Sequence, residues 1–210
     1  MTGTPPTVLV LSPSAPDAGR AALAAALAPL GPVLTPGWPL GRHDDVLDAP
    51  VREVLAALDT TNEEPAVVCG IAAGALVALR VAVAAPAAVR GLVLCTGARP
   101  LGTIVRSVHR GVAGLLPVTT LQRLGGRGRA LVPILDPVRS LDYRDLAPRV
   151  RIPVLVPYGD HDPANRPPSE RLARSLPDAA AVALPGAGPG WLWREPDRLV
   201  QPVRELRERR

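Results

Sequence analysis

The sequence predicts an α/β fold, in which a mostly parallel sheet of about six strands carries helices on both faces. Short apolar runs alternate with helical segments along most of the 210 residues. These runs are continuously apolar, which is typical of strands buried on both faces of a sheet. Apolar residues make up 47% of the chain, which is sufficient for one sizeable core. We therefore expect a single domain spanning residues 1–210.

The N-terminal part of the chain predicts two strands and two helices. Residues 7–11 form an uninterrupted run of β-branched and leucine side chains. Asp17 follows a proline-rich turn and is a suitable N-cap for a helix that continues to about residue 30. A second short strand is expected at 32–35. Residues 46–58 carry apolar side chains at helical spacing and predict the second helix.

The central stretch, residues 66–82, predicts a strand, a tight turn and a helix. Four apolar residues lead into Gly70-Ile71-Ala72-Ala73-Gly74, and an apolar helical run follows at once. A turn this sharp brings backbone segments together, so the residues two before and two after its tip must be small. Ala72 occupies the tip.

The next strand, residues 90–95, is followed by a segment that breaks the rhythm of strands and helices. Residues 99–148 contain helical pieces, several prolines and a glycine- and arginine-rich loop. An excursion placed after the carboxyl end of a strand is where a lid over a pocket lies. We therefore expect residues 99–148 to form a small helical lid within the single domain.

The C-terminal part of the chain resumes the sheet and completes the domain. A strand is expected at 153–157 and a helix at 167–176. Another strand is expected at 179–184, and an amphipathic helix at 196–209 ends the chain.

Composition excludes several classes of function. The net charge is +5, but the arginines are spread along the chain and often lie beside acidic residues, so no nucleic-acid surface is expected. No apolar stretch is long enough to span a membrane, and no secretory leader is recognisable. Two cysteines, Cys69 and Cys95, are too few for a disulfide framework and are expected to be buried thiols. These features favour a cytoplasmic protein.

Three separated segments resemble the α/β-hydrolase fold superfamily. Residues 64–97 (EPAVVCGIAAGALVALRVAVAAPAAVRGLVLCTG) are similar to its nucleophile elbow, the following helix and the next strand. Residues 151–162 (RIPVLVPYGDHD) are similar to the strand that delivers an acidic residue. Residues 181–196 (AVALPGAGPGWLWREP) are similar to the strand and turn that deliver a histidine. The resemblance implies a site made of a serine nucleophile, a histidine base and an orienting carboxylate.

The chain departs from this pattern at two of the three positions. The serine position is Ala72, and the histidine position is Pro189. The carboxylate position is retained as Asp162. A methyl group cannot attack a carbonyl and a proline ring cannot accept a proton, so the resemblance implies a degenerate triad. We expect ordinary serine hydrolysis through these positions to be absent.

The oxyanion hole of the family is implied in part. One donor would be the backbone N–H of Ala73, which does not depend on the side chain. The loop after the first strand reads Ser12-Pro13-Ser14, so the Ser14 N–H would have to supply the second donor. Ser12 and Ser14 lie on the pocket loop without an evident base.

Three histidines and one cysteine are the candidates to replace the missing base and nucleophile. His161 lies beside Asp162 and is the first candidate for a substitute base, although its loop follows a different strand from that of the family's histidine. His43 and His109 are expected to lie at the surface. Cys69 lies inside the strand, below the turn, which excludes it as a nucleophile.

Two carboxylates and two aromatic residues complete the candidate site. Asp160 and Asp162 lack the further ligands that a metal ion requires, so neither a metal nor a cofactor is expected. Trp38 and Trp191 are expected to line the pocket, Trp191 in the space vacated by the imidazole.

Three hypotheses for function remain. The preferred one is a non-hydrolytic protein that binds a small molecule, either an anion or a carbonyl compound. The second is a cofactor-independent lyase, cyclase or isomerase that uses the same pocket with Asp162 or His161 as acid or base. The third is an interaction module whose working surface is the lid.

Overall fold

The computed structural model describes residues 6–11, 15–39, 47–60, 64–95 and 143–209. Most of the expected lid lies outside these residues. From its last part, residues 143–146 form a turn and Ala147–Arg149 form a short 3-10 helix that leads to the next strand.

Six strands form one sheet in the described residues, and all of them are parallel. The strands are β1 (Thr7–Leu11), β2 (Val33–Leu34), β3 (Ala66–Ile71), β4 (Val89–Cys95), β5 (Val154–Gly159) and β6 (Ala179–Leu184). The helices are α1 (Asp17–Leu27), α2 (Asp48–Asp59), α3 (Gly74–Ala84), α4 (Arg166–Ser175), α5 (Trp191–Arg194) and α6 (Val200–Glu208). The expected fold class is therefore confirmed.

Differences from the expected elements are small and occur mainly at their ends. The α5 helix, a single turn, was not expected, because the pattern WLWR is too short to show helical periodicity. The last expected helix is divided into a 3-10 turn, Pro196–Leu199, and the α-helix α6. Pro196 at the start of that turn has no N–H to contribute to an α-helical ladder.

The order of the strands in the sheet is β2-β1-β3-β4-β5-β6. The chain runs from β1 outward to β2 and then returns to place β3 on the other side of β1. The direction of winding therefore reverses between β1 and β3. In open parallel sheets, ligands bind at such a reversal, in the crevice beyond the carboxyl ends of the strands.

Two apolar cores cover the two faces of the sheet. Val8, Val10 and Val68 face one core with α2, α3 and α4. Leu9, Leu11 and Cys69 face the other core with α1, α5 and α6. Neighbouring residues of one strand face opposite cores, as the pleat of a strand requires. This arrangement explains why the strand sequences are continuously apolar.

The amino-terminal edge of the sheet is fastened by Arg207 of α6. Its guanidinium donates hydrogen bonds to the Leu30 carbonyl oxygen and, at 2.8 Å, to Oγ1 of the buried Thr7. Burial lowers the pKa of Arg207 from its ordinary value. These contacts join the last helix to the first strand and stabilise the edge opposite the candidate site.

Candidate functional site

The turn after β3 has the backbone conformation of a nucleophile elbow. Ala72 has a φ of +54° and is the only non-glycine residue with positive φ in the described chain. Its methyl group is exposed at the carboxyl edge of the sheet. A left-handed conformation costs an alanine about 1–2 kcal/mol. The turn therefore keeps a strained geometry that presents a side chain incapable of attack.

The glycines on either side of the tip are required by close backbone contacts. A Cβ atom added at Gly74 would lie 2.0 Å from the Val10 carbonyl oxygen of β1. A Cβ added at Gly70 would lie 2.7 Å from the Cα of Ala75. Both distances are far below van der Waals contact, so the expected reason for these two glycines is confirmed.

Two backbone N–H groups of this turn differ in their partners. The Ala72 N–H donates to the Cys95 carbonyl oxygen of β4 at 3.2 Å, which holds the tip over the neighbouring strand. Ala73 is the N-cap residue of α3, so its N–H belongs to the helix terminus, where donors have no acceptor within the helix. The positive end of the helix dipole adds to these donors. Ser12 and Ser14, the expected second side of the oxyanion hole, lie outside the described residues.

Asp162 lies two strands away, in the loop after β5, and is completely buried. Its Oδ2 accepts a hydrogen bond of 2.6 Å from Nδ2 of Asn165, and its Oδ1 accepts one of 3.2 Å from the Asn165 backbone N–H. Its carbonyl oxygen accepts from the N–H groups of Asn165 and Arg166 at the start of α4. Both carboxylate oxygens therefore have partners within their own loop.

The loops that follow β5 and β6 are fastened to each other. The His161 N–H donates to the Ala187 carbonyl oxygen at 3.0 Å, and the Asp160 N–H donates to the Leu184 carbonyl oxygen at 3.2 Å. A Cβ added at Gly159 would lie 2.3 Å from the same Ala187 oxygen. This close approach places the Asp162 loop beside the loop that carries Pro189.

Pro189 is exposed, in a loop that bends through positive φ at Gly186 and Gly190. The Arg194 guanidinium donates to the Pro189 carbonyl oxygen. Arg198 donates to the Pro185 carbonyl oxygen at 2.7 Å. Two arginines of the following helical turns thus hold the loop in which the family places its histidine.

The histidines do not supply a base to the described part of the site. The side chain of His161 is 73% exposed, and its Nε2 lies 4.0 Å from Oδ1 of Asp160. Its imidazole therefore faces solvent next to the wrong carboxylate. His43 and His109 lie outside the described residues.

Cys69 is completely buried within β3, as expected. Burial raises the pKa of its thiol to about 12. Cys95, also buried, has a pKa raised well above the ordinary value for the same reason. Both thiols therefore stay protonated, and neither has the reactivity of a thiolate.

The three tryptophans pack in the cores on the two faces of the sheet. Trp191 is completely buried and belongs to the same apolar cluster as Ile71 and Cys95, the last residues of β3 and β4. Trp38 is half-buried and packs against the opposite core. The ring of Trp193 packs against α1, where a Cβ added at Gly19 would lie 2.6 Å from its Cε3 atom.

The described residues contain no group of three or more His, Cys, Asp or Glu side chains with the geometry of a metal site. None of the described helices combines the length and the apolar character that crossing a membrane requires.

Asn165 is a residue of the site that the sequence did not predict. It lies in a loop flanked by prolines, Pro163 and Pro167, where an asparagine is typical of an ordinary turn. The one available signal was its spacing: Asn165 follows Asp162 by three residues, immediately before α4, where side-chain capping is frequent.

Comparisons with known proteins agree with this geometry. The sequence matches no protein-family model and no curated protein. Its structure is similar to an α/β-hydrolase enzyme from the metagenome of lagoon sediments at Mar Chica, Morocco (20% identity, TM-score 0.70, covering 97% of this chain and 90% of the other). It is also similar to NosK from Streptomyces actuosus (22% identity, TM-score 0.68, 97% of both chains). A third similar structure is the enol-lactonase from Burkholderia xenovorans LB400 (21% identity, TM-score 0.69, 98% of this chain and 92% of the other).

These likenesses establish the fold. The chain has the α/β-hydrolase fold, as the three resembling segments implied. The names of these structures describe the activities of those proteins, and at 20–22% identity an activity does not transfer with the fold.

Proposed function

We propose that this protein of α/β-hydrolase fold binds a small molecule at the carboxyl edge of its sheet and does not hydrolyse it through the elbow. One observation carries the proposal: the tip of an intact elbow is Ala72, in the positive-φ conformation that normally presents a nucleophile.

The chemistry of acyl transfer requires a nucleophile and a base in contact with each other. Ala72 offers a methyl group, and the corresponding base position, Pro189, is an exposed proline. Loss of one member of such a unit lowers kcat by about 10⁴- to 10⁶-fold. With both members absent, the pocket retains at most its ability to stabilise a bound oxygen.

That ability is supported by the backbone. The start of α3 supports it, because Ala73 is the N-cap residue and the first N–H groups of a helix have no acceptor within the helix. The N–H groups of Ala75 and Leu76 already donate to the Ala72 and Ala73 carbonyl oxygens, so the proposed donors are those of Ala73 and Gly74, beside the reversal between β1 and β3. A carbonyl or carboxylate oxygen is the group that such donors bind. The ligand class is therefore a small molecule with an exposed oxygen acceptor.

A cofactor-independent enzyme is the second candidate, and it depends on Asp162 as acid or base. The retention of a buried carboxylate at the edge of the site favours it. Against it stand the complete burial of the Asp162 carboxylate and the hydrogen bonds that both of its oxygens already accept from Asn165.

The proposal is tested with p-nitrophenyl acetate and p-nitrophenyl butyrate, using the wild type and the matched pair Asp162→Asn and Asp160→Asn. Asp160 lies two residues from Asp162, but its side chain is 37% exposed, so its variant controls for a nonspecific change of charge. We expect all three proteins to release p-nitrophenol at the background rate of a non-catalytic protein.

The opposite result is equally clear. The proposal is wrong if the wild type hydrolyses these esters, Asp162→Asn lowers the rate 100-fold or more, and Asp160→Asn leaves the rate unchanged. Such a result would show that the site hydrolyses esters.

A further inference from the structure

The two edges of the sheet differ in length. β2, at one edge, has two residues, Val33–Leu34, whereas β6, at the other, has six, Ala179–Leu184. Among the described residues, β6 pairs with β5 alone, and the register of that pairing is regular. A long open edge is a template for pairing with another strand, so native proteins protect it with charged side chains, prolines or bulges. β6 reads AAAVAL and contains neither a charged residue nor a proline.

The backbone of β6 directs every second residue away from the sheet. The Val154 N–H donates to the Asp178 carbonyl oxygen at 2.9 Å, just before the strand, and the Asp160 N–H donates to the Leu184 carbonyl oxygen at 3.2 Å, at its end. Both acceptors therefore face β5. Since successive residues of a strand direct their N–H and C=O groups to opposite sides, the residues that face outward are Ala179, Ala181 and Ala183.

The outward-facing residues leave room for another strand. Ala183 is exposed and Ala181 is half-buried, and neither has a side chain that could shield the backbone. The neighbouring Ala180 is exposed as well, so the rim of the strand is apolar. A further strand would give partners to the N–H and C=O groups of all three outward-facing alanines, and main-chain hydrogen bonds of this kind supply the affinity of strand addition.

The two ends of β6 carry charges of opposite sign. Asp178, which is exposed, immediately precedes the strand. After the strand, the Arg198 guanidinium donates to the Pro185 carbonyl oxygen at 2.7 Å and also pairs with Glu195. Arg194, which donates to a carbonyl oxygen of the same loop, adds a second positive charge to this end.

These charges favour a second copy of this chain, in antiparallel orientation, as the occupant of the edge. An antiparallel pair brings Asp178 of each copy toward the arginines of the other. Arg174, the cation that precedes Asp178 in the chain, is paired with Glu170 at 4.0 Å. A parallel pair in register would instead bring the two Asp178 carboxylates together, and like charges placed opposite each other destabilise a strand pair.

We propose that two copies of this chain pair through β6 in antiparallel orientation, with a two-fold axis at Ala181, so that their sheets become one continuous sheet. The axis follows from the spacing of the outward-facing residues, because Ala181 then lies opposite Ala181 of the second copy and Ala179 lies opposite its Ala183. Both copies use the same surface, as in closed two-fold dimers. The inference goes beyond the proposed function and does not depend on it.

Disulfide trapping tests the position of the axis. In Ala181→Cys the two Cα atoms would lie about 5.5 Å apart, within the range that a disulfide spans. In Ala183→Cys, the matched control, the equivalent atoms would lie about 14 Å apart, which is too far for a bond. Ala183 is the more exposed position, so random collision would favour the control, and the buried Cys69 and Cys95 do not compete. We expect Ala181→Cys to form the covalent dimer about tenfold faster or more under mild oxidation.

Sedimentation velocity measures the pairing without a cross-link. The wild type should change from the monomer mass of 21.9 kDa to twice that mass between about 1 and 300 µM. Asp178→Arg places like charges at both ends of the interface and should raise the Kd of the dimer about fivefold or more. Asp59→Arg is the control, because it makes the same charge change at the exposed end of α2, which packs against α3 and β1. It should leave the Kd within about twofold, since distant exposed charges are screened.

Three results would overturn the inference. The first is a wild type that keeps the monomer mass at every concentration. The second is cross-linking of Ala183→Cys as fast as that of Ala181→Cys, which contradicts the two-fold axis. The third is equal dimerisation of Asp178→Arg and Asp59→Arg, which contradicts the pairing of opposite ends.

Hydrogen exchange identifies the other occupant if the wild type is monomeric. Protection of the Ala179, Ala181 and Ala183 amides in the monomer would mean that another segment of the same chain covers β6. Fast exchange of these amides would mean that the edge is left for a different partner. Either result overturns the pairing of two copies.

Discussion

Nδ2 of Asn165 lies 2.6 Å from Oδ2 of Asp162, so the buried carboxylate is paired within its own loop. In a working triad, the carboxylate in this position orients a histidine. Here an amide three residues further along the chain provides that hydrogen bond. The buried carboxylate therefore has hydrogen-bond partners although the loop after β6 carries Pro189 and no histidine.

Replacing Asn165 with alanine is expected to destabilise the protein. The Asp162 carboxylate is completely buried and would lose its shortest hydrogen bond. Leaving a buried acceptor unpaired costs about 1–3 kcal/mol, and more when the group is charged. We expect the free energy of unfolding in urea to fall by about 2 kcal/mol or more.

The control for this prediction is Ser175→Ala. Oγ of Ser175 donates to the Leu172 carbonyl oxygen at 2.7 Å, at the other end of the same helix, and no buried charge depends on it. Its loss should cost about 1 kcal/mol or less. Equal costs for the two variants would mean that Asn165 is an ordinary capping residue and does not stabilise the carboxylate.

Replacing Ala72 with glycine is expected to stabilise the protein slightly. Relief of the positive φ gains about 1–2 kcal/mol, and the greater freedom of glycine in the unfolded chain returns about 0.4–1 kcal/mol. The control is Ala25→Gly, at an exposed site within α1. This change relieves no strain and should lower the free energy of unfolding by about 1 kcal/mol. Urea unfolding of both variants measures the difference between their free energies of unfolding, which should be about 2 kcal/mol. If both lose stability equally, Ala72 does not have the conformation described.

Much of the fold was predictable from local sequence. The strands were identified because their residues face two cores at once, so their sequences are continuously apolar. The elbow was identified because Gly70 and Gly74 touch backbone atoms and no larger residue fits. In both cases the constraint acts on each residue directly and leaves its mark on the residue type.

The arrangement of the site was less predictable because it depends on contacts between distant loops. The hydrogen bond from the His161 N–H to the Ala187 carbonyl oxygen involves backbone atoms, which any residue provides. Asn165 acts through the direction of one polar atom, its side-chain amide nitrogen, and residue type alone does not specify a direction. His161 was the natural substitute base in the sequence, yet the course of the chain directs its side chain to solvent.

Stability is expected to decline at alkaline pH because of the two buried thiols. Burial raises the pKa of Cys69 from 9.0 to about 12, so the folded state keeps a proton that the unfolded state releases. The stabilisation is complete below pH 9 and is lost as pH rises toward the folded pKa. Between these two pKa values, each thiol that stays protonated only in the folded state lowers the free energy of unfolding by about 1.4 kcal/mol per pH unit.

Urea unfolding between pH 8 and pH 10.5 tests this expectation, because this window brackets the ordinary thiol pKa of 9.0. The double variant Cys69→Ala/Cys95→Ala is the comparison, since the other titrating groups are common to both proteins. The wild type should lose stability more steeply above pH 9. Parallel curves would mean that the thiols ionise as easily in the folded protein as in the unfolded one.

Restoring the triad is expected to require three substitutions rather than two. Ala72→Ser with Pro189→His returns the nucleophile and the base, but the Asp162 carboxylate still accepts hydrogen bonds from Asn165. A histidine without an orienting carboxylate loses about 10⁴-fold in kcat. We therefore expect the double variant to hydrolyse p-nitrophenyl acetate at nearly the background rate. Adding Asn165→Ala should increase that rate at least tenfold, because Oδ2 of Asp162 becomes available to the imidazole.

Asn165→Ala alone is the control and should remain at background, since it provides neither a nucleophile nor a base. Circular dichroism at the assay temperature verifies that each variant is folded, which matters because Asn165→Ala is expected to be the least stable single change. A double variant as active as the triple would show that the imidazole displaces the Asn165 amide unaided. The hydrogen bond between Asn165 and Asp162 would then be a consequence of the missing histidine and no obstacle to its return.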